Sequence, residues 1–329
     1  MNTQPRVAVV GVGAWGRNHV RNFEALAALA MVCDSSQSSL DEISQQMPGI
    51  RTTMKYSDVL EDTEIQAVVV ATPPVSHGTL VLRALDAGKH VLVEKPLSLD
   101  LAEAEKLRSQ AENLGSTLMV GHLLLYHPAF RAVKGLLDSG GIGKLRYIYS
   151  NRLSLGKIRR EENALWSFAP HDVSMILSLT GEMPGSVFAS GGHYLSRDVA
   201  DTTLSHLTFR EGLQAHIFVS WLHPYKEHRL VVVGEQGMVA FDDGRGGDEK
   251  VLLYRHGLGW DGGIPVVSRA EAEPVPYFDA EPLLLECQAF LDCIRHGTQP
   301  PSDAEEGIRV LRVLDACQRA MSGGMRVSL

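Results

Sequence analysis

The sequence predicts two architectures in series. An α/β region with a parallel sheet and helices on both faces comes first. An α+β region with a large, open, mainly antiparallel sheet follows. Three observations predict this. Short apolar runs alternate with helix-spaced segments up to about residue 122, the pattern of βαβ units. A glycine-rich turn, Gly11-Val12-Gly13-Ala14-Trp15-Gly16, joins the first run to the first helical segment. After about residue 123, strand-like stretches succeed one another without helices between them, which argues for antiparallel pairing. The expected division is therefore 1–122 and 123–329, with the C-terminal helices able to pack back on the first region.

Arg6–Val10 is the first strand, and Val20, Phe23, Leu26 and Leu29 line one face of the helix after the glycine turn. A second strand, about Leu29–Cys33, ends at Asp34. Strand, glycine turn, helix, strand and acid form the fingerprint of dinucleotide binding. Gly11 permits the tight turn, Gly13 lets backbone approach a pyrophosphate, and Gly16 lets helix and strand pack closely. The helix N-terminus offers unpaired N–H groups to phosphate. Asp34, 18 residues beyond Gly16, is placed to accept from adenosine ribose hydroxyls. Its charge would repel a 2′-phosphate, and Ser35-Ser36 supplies no arginine. The expected cofactor is NAD rather than NADP.

Gln66–Ala71 is a further buried strand, ending in Thr72-Pro73-Pro74. Ser76 is expected to cap a helix carrying Leu80, Val81 and Leu85, with Gly88 at its stop. Val91–Val93 then runs into Glu94-Lys95-Pro96. Asp100 and Glu103 read as the cap of a helix that ends at Gly115, and Ser116–Val120 starts another strand. Ligands of such sheets bind beyond the carboxyl ends of the strands. The Gly11 turn, Thr72-Pro73, Glu94-Lys95-Pro96 and Gly121-His122 all fall there.

In the second region Phe130–Leu137 reads as helix and Lys144–Ser154 as a long strand. Strands follow near Ser186–Tyr194, Leu204–Phe209, Leu213–Trp221, Arg229–Val233 and Met238–Phe241. Residues 243–264 have the weakest pattern and are expected to be a mobile loop. Leu283, Leu284, Cys287, Phe290, Leu291 and Ile294 make one helix face, and Ser302 or Asp303 starts a last helix.

Composition narrows the function classes. The 329 residues are 44% apolar and carry a net charge of −8, which argues against nucleic acid or an anionic membrane as partner. No apolar run reaches the ~18 residues of a membrane span, and no signal segment is evident. Cys33, Cys287, Cys293 and Cys317 form no C-x-x-C pair, so a reducing cytoplasm is expected. His122 and His127 lack a third ligand nearby, so no metal site is expected.

A glycine-rich NAD fold, then Glu94-Lys95-Pro96, then an open sheet resembles the Gfo/Idh/MocA oxidoreductases. Ala71-Thr72-Pro73-Pro74 with His77, Glu281-Pro282-Leu283…Glu286…Phe290 and Pro301-Ser302-Asp303…Gly307…Val310 add to the likeness. The resemblance implies oxidation of a secondary alcohol, with Lys95 bonded to the reacting hydroxyl, Pro96 shaping the nearby backbone and His171 as the base. Many members carry Asp four residues before the histidine and Gly two before it; here Ser167 and Ala169 stand there. Asp172 is no replacement, since adjacent helix positions do not face each other. Cofactor contacts are implied for Gly11, Gly13, Ala14, Trp15, Gly16, Asp34, Ala71, Thr72, Pro73, His77, Glu94 and Lys95.

Segments 121–128 and 151–172 are most similar to the family's nucleotide-sugar branch. Lys157, Arg159 and Arg160 offer cations to a diphosphate; a solvated loop paired to Glu161 and Glu162 is the competing reading. Oxidation at C3 of UDP-N-acetylglucosamine, ahead of amination in lipid A synthesis, is the implied reaction. Lys95, His122, Tyr149, Arg159, Arg160, Trp166 and His171 are the implied substrate contacts, with Tyr126 and His127 of second rank. A homodimer or homotetramer formed through the second sheet is implied as well. The rival readings are a free-sugar or polyol dehydrogenase and a non-catalytic NAD(H) sensor.

Overall fold

The computed structural model describes residues 4–160 and 162–329. Its contacts cluster into two units. One runs to Tyr126 and takes in Ala280–Ile308; the other comprises His127–Asp279 and Arg309–Leu329.

The first unit holds β1 (Val7–Val10), α1 (Ala14–Ala25), β2 (Leu29–Cys33), α2 (Gln37–Gln46), β3 (Arg51–Thr53), α3 (Tyr56–Glu61), β4 (Ala67–Val70), α4 (His77–Asp86), β5 (His90–Val93), α5 (Leu101–Leu114) and β6 (Leu118–Val120). The strands form one parallel sheet in the order β3-β2-β1-β4-β5-β6. Val7–Val10, Ala67–Val70 and Val91–Val93 are buried throughout, as expected of strands covered on both faces. Asp100 caps α5 by accepting from the Glu103 N–H at 2.8 Å. Ser76 does not cap α4. Its hydroxyl donates to the Pro73 carbonyl, because a 3₁₀ turn over Pro74–Ser76 precedes the helix. Within this unit α8 (Pro282–His296) packs on α1 and buries Cys287, Phe290 and Leu291.

The second unit carries α6 (Pro128–Asp138), β7 (Leu145–Leu155), α7 (Ala164–Thr180), β8 (Ser186–Gly192), β9 (Thr202–Thr208), β10 (Gln214–Ser220), β11 (Leu222–Gly234), β12 (Gly237–Asp242), β13 (Val251–Asp261) and β14 (Ile264–Pro274). Helix α9 (Ala304–Gly323) and β15 (Val327–Ser328) close the chain. The strands form one nine-stranded sheet, ordered β14-β13-β12-β11-β7-β10-β9-β8-β15. It is antiparallel except where β10 pairs with β7. Helix α7 lies across β10, β7 and β9. The sheet alternates between a buried face and an open one: Val187, Leu207 and Ile217 are buried, whereas Phe188 and Leu204 are exposed.

The expectation of a loop over 243–264 is corrected. Most of it is β13 and the start of β14, a paired hairpin. Gly257, Gly259, Gly262 and Gly263 break the sequence pattern. Exposure along the whole of β14 removes the apolar alternation that marks a half-buried strand.

Candidate active site

In the first unit β1 and β4 are neighbours at the sheet centre, where the strand order reverses. Crevices form there, beyond the carboxyl ends of the strands. Gly11, Asp34, Ala71, Glu94 and Gly121 directly follow β1, β2, β4, β5 and β6, so one sheet edge gathers five of the predicted segments. Gly11 has φ +90°, and a Cβ on it would lie 2.8 Å from the Ala71 carbonyl oxygen. A Cβ on Gly16 would lie 1.8 Å from the Gly11 oxygen, so α1 touches the turn directly. Gly13 has open space around its missing Cβ, and no side chain caps α1. Ala14 and Trp15 are exposed beside it.

The Asp34 carboxylate is anchored at both oxygens: Oδ2 accepts from the Val12 N–H at 2.7 Å and Oδ1 from the Ser36 N–H at 2.8 Å. A carboxylate has further lone pairs for ribose hydroxyls. An open helix N-terminus for phosphate and a fixed acid at the end of β2 together fit NAD.

Glu94 and Lys95 end β5. Glu94 Oε1 accepts from Nε2 of His19, 2.8 Å away. His19 is fully buried on α1, and its Nδ1 lies 3.7 Å from Cys287 Sγ. Burial pushes the Cys287 thiol well up, so it keeps its proton beside Nδ1. Nε2–H of His19 donates to the Glu94 carboxylate. Burial alone would raise the Glu94 carboxyl; the His19 hydrogen bond and nearby positive charge, including Lys95, hold it below the usual range. Glu286 is also buried, and neither of its carboxyl oxygens has a hydrogen-bond partner among the described residues. Burial, then the Glu94 charge, raises it well above the carboxylate range, which makes it a neutral acid. Sequence reasoning missed the His19–Glu94 pair. The available signal was a histidine on the face shared by Gly16, Val20 and Phe23, all buried.

Several predicted contacts stand elsewhere. His77 is fully buried, with a backbone carbonyl at each ring nitrogen: Pro96 at 2.7 Å and Thr72 at 2.8 Å. It ties loops together and does not present itself to a cofactor. His122 is buried and spends Nδ1 on Glu306 at 2.5 Å. Tyr126 is core, its hydroxyl 2.9 Å from that of Ser302. His127 caps α6, accepting from the Ala129 N–H, and pairs with Asp243 at 3.3 Å.

In the second unit Asn163 caps α7 through the Trp166 N–H. Asp172 is fully buried and accepts from Ser150 Oγ at 2.5 Å and from Arg152 Nε and Nη2 at 2.7 and 3.1 Å. That carboxylate is committed to the sheet. His171, half-buried, sits about 100° further round α7. Ser167 is buried. Trp166, half-buried, donates from Nε1 to Gln318 at 3.2 Å. Arg159 pairs with Glu162 at 3.0 Å, Arg160 is exposed, and Glu161 lies outside the described residues. Tyr149 alternates with Ser150 and Arg152, so it points to the open face, where it stacks on His216 at 5.3 Å. The unit does not bring it to the side of the sheet that α7 covers. Among the described residues no group of three or more His, Cys, Asp or Glu could hold a metal ion.

Residues 5–122 match the model of the Gfo/Idh/MocA oxidoreductases, described as an NAD-binding Rossmann fold, and residues 130–240 match a C-terminal domain of the same family. The chain belongs to the Gfo/Idh/MocA oxidoreductase family. It is 30% identical to UDP-N-acetylglucosamine 3-dehydrogenase of Acidithiobacillus ferrooxidans over 309 residues, which is 93% of this chain and 94% of that one. A solved structure of that enzyme matches with a TM-score of 0.85 at 28% identity, covering 97% of each chain. It is also 26% identical to the NAD-dependent scyllo-inositol 2-dehydrogenase of Bacillus subtilis, over 100% of this chain and 97% of that one. This Gfo/Idh/MocA member is thus an oxidoreductase with NAD as cofactor, and its fold is that of the family.

Proposed function

We propose that the protein oxidises a secondary hydroxyl of a nucleotide sugar to a ketone, with C3 of UDP-N-acetylglucosamine as the favoured position. The observation that carries this reading is the 30% identity to UDP-N-acetylglucosamine 3-dehydrogenase along 93% of the chain. The basic segment Lys157–Arg160 ahead of α7 in an acidic protein, with Lys157 and Arg160 exposed and Arg159 half-buried, supports it. Bound NAD would supply the hydride acceptor for the sugar carbon. Lys95 hydrogen-bonds the reacting hydroxyl and stabilises the oxyanion as it forms. His171 takes the hydroxyl proton; histidine suits a base near neutral pH. Asp34 and the Gly11–Gly16 turn would hold the ribose and pyrophosphate of NAD. Because Asp172 is committed to Arg152, His171 acts without a carboxylate from its own helix neighbour.

A polyol reading has one specific support: Arg159 already pairs with Glu162, which would leave a diphosphate only partial use of it. The scyllo-inositol enzyme is the relative that fits this reading. One assay separates the readings. NAD reduction is followed at the nicotinamide absorbance with UDP-N-acetylglucosamine, free N-acetylglucosamine and inositol, and with an aminotransferase and amino donor to remove the ketone. Turnover with the nucleotide sugar alone, and a raised KM in Arg159→Ala and Arg160→Ala, is the expected result. Turnover with free sugars or inositol alone would overturn the substrate. NAD binding with no turnover on any of them would favour a sensor.

The open sheet face, with Tyr147, Phe188 and Leu204 exposed, is our candidate for self-association into a dimer or tetramer. Four free, buried cysteines suit a reducing compartment, which we take to be the cytoplasm. No helix among the described residues is long and apolar enough to cross a membrane.

A further inference from the structure

We propose that His77 carries hydrogen on both ring nitrogens and, as a buried cation, ties the loop after β4 to the turn after β5. It is a positioning residue for the cofactor edge of the sheet. The proposal rests on the reading that NAD lies along that edge, and it does not depend on which sugar is oxidised.

The two hydrogen-bond partners carry the argument. Nδ1 stands 2.7 Å from the Pro96 carbonyl oxygen and Nε2 stands 2.8 Å from that of Thr72. A carbonyl only accepts, and a neutral imidazole has one N–H. A neutral ring would set a nitrogen lone pair against an oxygen lone pair at hydrogen-bond distance. The ring is 0% exposed, so no solvent relieves that contact. A doubly protonated ring donates to both. His19, equally buried, has the opposite surroundings: a thiol on one side and a carboxylate on the other. One N–H satisfies both of its neighbours.

A buried cation needs an opposite charge nearby. Glu94, at the end of β5, is the carboxylate within electrostatic reach of the ring. Lys95 belongs to the same turn and acts electrostatically on Glu94, and His19 stands beside Glu94 on α1. From α5, the Glu103 carboxylate lies where a Cβ on Gly78 would be and accepts from Ser98 Oγ at 2.5 Å. Two carboxylates thus flank the α4 N-terminus against one lysine.

The tether reaches both sides of the edge. The Ala71 carbonyl and the Thr72 side chain lie against Gly11, within 2.9 Å of where its Cβ would be. The other end of the tether is Pro96, next to Lys95. His77 therefore links the loop touching the glycine turn to the turn that carries the reactive lysine.

The test uses the full-length protein labelled with ¹⁵N-histidine, without sugar, with and without NAD. Long-range ¹H–¹⁵N spectra at pH 7.5 distinguish protonated from bare ring nitrogens, and the His77 ring is assigned through its contacts with Thr72 and Pro96. Both nitrogens in the protonated range is the expected result; one bare nitrogen overturns the proposal. In parallel, His77→Gln, which cannot donate in both directions, should bind NAD roughly tenfold more weakly, the size of one lost charge-assisted hydrogen bond. A folded His77→Gln with NAD affinity within twofold of the parent would overturn the positioning role. Should that variant fail to fold, His77→Asn is measured and the parent spectrum decides the protonation. An incorrect sugar assignment changes none of these readings.

Discussion

Gly13 and Gly16 stand three residues apart in one turn, yet the structure assigns them opposite failures. Replacing Gly13 by Ala places a methyl where no protein atom lies within 4 Å. Its φ of −63° suits alanine. A stiffer unfolded chain contributes about 0.4–1 kcal/mol of stability, and the poorer helix cap takes back about 0.5 kcal/mol. Melting should stay within about 2 °C of the parent. NAD affinity should not. The methyl occupies the side from which a pyrophosphate approaches the backbone, and loss of one charged hydrogen bond, about 1.5–3 kcal/mol, is roughly a 10- to 150-fold weaker Kd. Gly16→Ala puts a methyl 1.8 Å from the Gly11 oxygen, where real contacts stay above 3.0 Å, so backbone must move by about 1.2 Å. Such overpacking costs about 1–3 kcal/mol, or roughly 2–12 °C in a unit of this size. Calorimetric melting and NAD titration of both variants make the comparison. A Gly13→Ala protein that binds NAD within twofold of the parent would refute the reasoning. So would one that loses stability in step with affinity.

Three further outcomes are expected. Lys95→Met should lower turnover by about 10²–10⁴-fold while NAD affinity stays within several-fold; near-normal turnover removes Lys95 from the chemistry. Arg152→Met leaves the fully buried Asp172 carboxylate without its cation, and urea unfolding should show a loss of about 3–5 kcal/mol; a loss below about 1 kcal/mol contradicts the pairing. Glu286 keeps its proton in the folded chain and loses it on unfolding above its ordinary value of 4.5. Its contribution therefore declines as pH rises from that value toward the raised one. Glu286→Gln cannot ionise, so its melting temperature relative to the parent should climb between pH 5 and pH 8, and a constant gap would show that Glu286 is not the titrating group.

The order of elements in the first unit was readable because each carries its own local signal. Valine runs mark β1, β4 and β5, Asp100 marks the start of α5, and Gly115 its end. The short pieces between Ser35 and Ile65 carry no such run, and Tyr56–Glu61 spans under two turns, too few for a periodicity to register. In the candidate site, positions fixed by backbone were legible: Gly11, Gly16, Asp34 and the end of β5. Roles fixed by a partner far along the chain were not. His122 meets Glu306, 184 residues away, and His19 meets Cys287, 268 residues away. A histidine's function depends on what each nitrogen faces, and spacing along the chain does not reveal that. Tyr149 shows the same dependence on context: one step from Ser150 reverses the face it lies on.

The thiol–imidazole–carboxylate line from α8 to β5 also bears on the timing of synthesis. Residues 1–126 leave the ribosome first, but Cys287 and Phe290 that seal α1 belong to a segment that starts at Ala280. About 150 residues of the second unit are made in between, which at translation speeds of ~5–20 residues per second takes on the order of 10–30 s. During that interval His19 has no thiol beside it, and the face of α1 that α8 covers, with Val20 and Phe23 among its buried residues, lacks that cover. The nascent cofactor unit is in that sense a vessel with its side wall missing, and a chaperone that binds exposed apolar grooves would find its substrate in this stretch of synthesis. Expression of 1–126 alone would leave the wall off for good.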